Sequence, residues 1–73
     1  MTRPPVSPER QRVLAATAVI VARAGLHGEP VPILREARQL LSDHPDCGMT
    51  EREISDHLTH VASESGVAVD PSL

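Results

Sequence analysis

Two short spacings in this chain bring metal-ligand and nucleophile residue types together. His44 and Cys47 are three apart in the segment HPDCG, and His57 and His60 are three apart in DHLTH. Residues at i and i+3 share a helix face, so His57 and His60 can aim two imidazoles at one point. His44 and Cys47 would then complete a tetrahedral zinc set, a useful staple for a small core that lacks aromatic rings. The geometry is demanding, because His57 and His60 lie roughly 10–15 Å along a helix that starts near Thr50. The loop bearing His44 and Cys47 has to fold back along it. If it does not, the two imidazoles are polar flanks of an Ile54/Leu58/Val61 stripe and the chain carries no cofactor.

Cys47 beside a histidine is also the raw material of a thiolate nucleophile, and Asp56 and His60 stand four apart. A chain of 73 residues has little room for both a core and a substrate pocket of roughly 300 Å³ or more. It has no Gly-rich phosphate loop and no paired-carboxylate geometry. The expectation is therefore a protein that is not an enzyme, with Cys47 as a loop thiol. One cysteine allows no internal disulfide, which argues against a secreted, cross-linked miniprotein and for the cytoplasm. The apolar run VLAATAVIVA is closed by Arg12 and Arg23 after ten residues, about half of what a spanning helix needs. No membrane partner is expected. The proline-rich start MTRPPVSPER does not read as a signal peptide.

Charge divides the chain unevenly. Residues 1–26 hold four Arg against Glu9, and residues 27–73 hold three Arg against nine acids, leaving a net charge of −3. Arg3, Arg10 and Arg12 are candidate phosphate contacts, whereas no basic residue follows Arg52. Glu51, Glu53, Asp56 and Glu64 form a candidate acidic surface for an Arg- or Lys-rich partner. With no Phe, Tyr or Trp, the chain cannot stack bases on rings. The use of Arg without Lys, with plentiful Ala, Pro and Val, suggests a GC-rich genome.

Three helices must position these groups. Residues 1–7 read as an extended arm, since Pro4 and Pro5 cannot enter a helix interior. Ser7-Pro8-Glu9 is a helix start, and the first helix runs over 8–24 with Gly25 as its stop. The second spans 31–43 and places Ile33, Ala37, Leu40 and Leu41 on one stripe. Pro45 breaks the chain after it. Thr50 and Glu53 form a capping box for a third helix over 50–65, which ends at Gly66. Residues 67–73 are a tail, either a short extended piece or a docking strand. The fold class is all-α, a compact three-helix domain over 8–66.

Residues 49–69 carry a partial resemblance to helix-turn-helix regulators. GMTEREISDHL resembles the opening of the second helix in winged-helix regulators, and HVASESGVAV is similar to lac-repressor-type domains at Val61, Ala62, Gly66 and Val67. The two registers overlap and exclude each other. The resemblance implies a DNA-binding transcriptional regulator, helped here by the Arg-rich N-terminal arm. A recognition helix would follow Val67, where the chain offers Asp70-Pro71 instead.

Helix 1 is apolar around most of its circumference, more than two short helices can cover. Val13, Ala16, Ile20, Val21 and Ala24 are therefore candidate interface residues for a homodimer, with Ala15, Ala18 and Ala22 allowing close helix approach. The expected function is a small non-enzymatic regulatory module that binds itself and another protein.

Overall fold

The computed structural model describes residues 8–73; the predicted arm, with Arg3 and the Ser7 cap, lies outside them. Five elements follow in order: α1 (Pro8–His27), β1 (Val31–Pro32), α2 (Ile33–Asp43), α3 (Glu51–Ser65) and β2 (Val69–Asp70). This is an all-α three-helix domain with one short parallel strand pair, Val31 opposite Val69 and Pro32 opposite Asp70.

The third helix is the spine. It packs on both α1 and α2, which touch each other little. Ile54, Leu58 and Ala62 stand at i, i+4 and i+8 and are all fully buried, the spacing that keeps one face inward. Ile33, Ala37 and Leu40 supply the face of α2. Both ends of α3 follow from sequence chemistry. The Thr50 hydroxyl accepts from the Glu53 N–H at 3.1 Å, and the Glu53 carboxylate accepts from the Thr50 N–H at 3.1 Å. At the other end Gly66 is left-handed (φ 69°), and the Val67 N–H reaches back to the Ala62 carbonyl at 2.9 Å. Thr50→Ala removes one half of the reciprocal cap and should cost about 1 kcal/mol. Urea unfolding followed by circular dichroism measures this; a loss below the error of the fit would mean the box is idle.

The first helix runs one turn past the expected stop. Gly25 lies inside it, and the turn is closed by Gly28 (φ 63°). The Glu29 N–H bonds the Ala24 carbonyl at 3.0 Å and the Gly28 N–H bonds that of Gly25 at 3.3 Å, a Schellman closure. Gly25 serves a different purpose: a Cβ there would sit 3.1 Å from Cγ2 of Val67. Its missing side chain makes room for the chain leaving α3.

The inner face of α1 is Val13, Thr17 and Val21. Thr17 is fully buried, and its hydroxyl donates to the Leu14 carbonyl at 2.6 Å. With the polar atom satisfied by its own helix, the methyl group packs like that of valine.

Residues 67–73 are built into the domain. The Val31 N–H donates to the Ala68 carbonyl at 2.9 Å, and the Arg35 N–H donates to the Leu73 carbonyl at 3.0 Å. The second bond matters because α2 begins at Pro32 without a side-chain cap, leaving first-turn N–H groups in need of acceptors.

Candidate functional site

The four predicted metal ligands are not gathered. Nδ1 of His44, at the C-terminal end of α2, lies 2.9 Å from a Glu9 carboxylate oxygen in the first turn of α1. Cys47 is buried, with its thiol turned to the Met49 carbonyl at 3.8 Å. It plugs the core instead of lying open on a loop, because the chain between α2 and α3 tucks both Cys47 and Met49 under the helices. His57 faces a shallow groove between α3 and α1, beside Arg10 and Leu14. His60 lies on that groove too, with Nε2 3.2 Å from Glu64. Among the described residues no three His, Cys, Asp or Glu side chains come together as a metal-binding group.

The acidic set divides between two sides of α3. Glu51 turns toward α2, where its carboxylate accepts from Nε of Arg38 at 2.7 Å. Glu53 and Asp56 line the α1 side with Arg10, His57 and His60. The division is a matter of helix pitch: Glu51 sits one turn before Ser55, while Glu53 and Asp56 point around the opposite flank. Hydrogen bonds from Thr50, the backbone one first, hold the Glu53 carboxyl below its ordinary value, with Arg10 adding a smaller pull. Of the proposed phosphate contacts, Arg12 is engaged by Glu9 at 2.6 Å, and Arg10 faces the acids of α3.

Glu9 joins the start of α1 to the end of α2. Its carboxyl is held below the ordinary 4.5, chiefly by the His44 hydrogen bond and, against some desolvation, by Arg12. A carboxylate with a lowered folded value stabilises fully above 4.5 and loses that contribution as pH falls through the lowered value. Glu9→Gln should therefore lower the thermal midpoint near neutral pH, and the difference should shrink as pH falls below 4.5. A gap between variant and wild type that persists unchanged in acid would refute the linkage.

The interface set from α1 needs the clearest correction. Val13 and Val21 are 0% and 1% exposed and belong to the core, with Ala16, Ile20 and Ala24 packed against it. That face is occupied by the rest of the chain. The free apolar face lies opposite: Ala15, Ala18, Val19, Ala22 and Leu26 are all exposed, Val19 by 55% and Leu26 by 87%. Their spacing of three and four residues makes one stripe along the C-terminal part of the helix, with exposed Arg12 and Arg23 beside it. Periodicity alone could not separate the two faces, because both are apolar and a buried threonine interrupts the inner one.

No helix among the described residues is long and apolar enough to cross a membrane. The segment 49–69, which resembles helix-turn-helix regulators, comprises α3 and the chain that follows it. The first turn of α3 presents Glu51 and Glu53, charges that repel a phosphate backbone, and the segment after Val67 forms β2. No protein-family model, curated protein or solved structure matches this chain.

Proposed function

We propose that this protein is a small, non-enzymatic regulatory interaction module that self-associates through the outer face of α1. The observation that carries this reading is the exposed Ala15–Ala18–Val19–Ala22–Leu26 stripe. The three alanines let a second helix come close, and Val19 and Leu26 supply aliphatic area that loses water on contact. Against an enzyme stands the Cys47 thiol, buried under Met49, while the nearest histidine in sequence, His44, is engaged by Glu9. A single cysteine, which allows no internal disulfide, accords with a cytoplasmic setting.

Sedimentation equilibrium over a range of micromolar concentrations tests the proposal. Wild type should be dimeric, and Val19→Glu combined with Leu26→Glu should be monomeric with unchanged helical circular dichroism, since both positions are exposed. A wild type that stays monomeric throughout, or a double variant that still dimerises, sinks it. Salt-sensitive retardation of genomic DNA fragments, lost on replacing Arg3, Arg10 and Arg12, would favour the regulator of transcription instead.

A further inference from the structure

A groove of about 490 Å³ runs along α2, and α1 contributes nothing to it. Arg35, Arg38, Gln39 and Ser42 form one wall above Leu34, and Ser72 and Leu73 of the docked tail form the other. A second hollow of about 320 Å³ shares Leu34 and Arg38 with it and is lined also by Glu51, Arg52 and Ser55. Three guanidinium groups thus border one concave surface in a chain whose net charge is −3. Arg38 is held by Glu51. Among the described residues, neither Arg35 nor Arg52 has a carboxylate within 4.0 Å.

We propose that this groove binds a peptide segment of a partner protein that carries carboxylates on either side of an aliphatic side chain. Arg35 and Arg52 offer forked N–H donors that match carboxylates. Leu34 is half-buried and Leu73 is 51% exposed, so together they give an aliphatic side chain a floor. Gln39 donates to Asp43, which leaves its carbonyl oxygen to accept a peptide N–H. A nucleic-acid strand fits less well. The chain has no aromatic ring on which its bases could stack. This face is distinct from the α1 stripe, so the proposal stands or falls independently of self-association.

The test uses the whole chain, isotope-labelled, and a short fluorescein-labelled peptide of alternating glutamate and leucine. Amide shifts should cluster at Leu34, Arg38 and Ser72. Fluorescence anisotropy should show binding weakened about tenfold by each of Arg35→Ala and Arg52→Ala, and less by Arg35→Lys. Arg23→Ala, on α1, should leave binding unchanged. The proposal is overturned if the same peptide with glutamine for glutamate binds equally well, or if the Arg35→Ala/Arg52→Ala double variant keeps full affinity. It is also overturned if the shifts fall on α1, or if a single-stranded DNA oligonucleotide binds more tightly than the peptide.

Discussion

Leu58→Ala should destabilise the protein by about 3 kcal/mol, within the range of roughly 2–5 seen for buried leucines. Leu58 is fully buried at the middle of α3, the helix that contacts both α1 and α2. A cavity there removes contacts on both sides, and without large aromatic side chains nearby little can collapse into the space. A domain of 73 residues has a total stability on the order of 4–11 kcal/mol, so this one change removes a large share. Leu26→Ala, compared at concentrations where both chains are monomeric, is the matched control. It deletes the same atoms from a side chain that is 87% exposed, and leucine and alanine differ little in helix propensity, so its effect should stay within about 0.5 kcal/mol. Urea unfolding followed at the helical circular-dichroism band compares the two. Equal losses from both variants would contradict the central place of α3.

Deleting residues 67–73 should cost a similar amount, about 3 kcal/mol. Val67 and Val69 pack on the core, and half-burying two valines contributes roughly 1 kcal/mol each. Their removal also uncovers Val31, which is fully buried. The Val31 and Arg35 N–H groups lose the Ala68 and Leu73 carbonyls, although water can replace these once the site opens. The same deletion takes away one wall of the α2 groove. Placing a stop codon after Gly66 and repeating the urea titration measures the effect. A shortened chain as stable as the full one would show that the strand pair is ornament.

The helices were legible because local and global signals coincide in them. The Thr50–Glu53 box, the Ile54/Leu58 spacing and the Gly66 stop all specify α3, and each is found as expected. Consistency of this kind marks a well-specified element. The second helix was read from Ile33, Ala37 and Leu40, although the first two residues expected in it, Val31 and Pro32, form β1 instead. What was misread involves residues whose roles depend on distant neighbours. Gly25 looked like a stop because glycine usually is one, but its partner is Val67, across the fold. Cys47 looked like a loop thiol, and the way α2 meets α3 turns it inward beside Met49.

The candidate surfaces follow the same division. By itself the sequence determined that there are three helices, that α1 has more apolar surface than two neighbours can cover, and that no aromatic ring is available for stacking. Those follow from composition and short-range periodicity, which any isolated segment already carries. Only the tertiary structure decided which side of α1 is spent on the core, leaving Val19 and Leu26 outward. It alone separated Glu51 from Glu53 and Asp56, and it alone brought Ser72 and Leu73 against Arg35 and Arg38. The last are contacts between residues more than thirty positions apart. They exist because a strand pair of two residues on each side ties the end of the chain to the start of α2, a closure that no local pattern encodes.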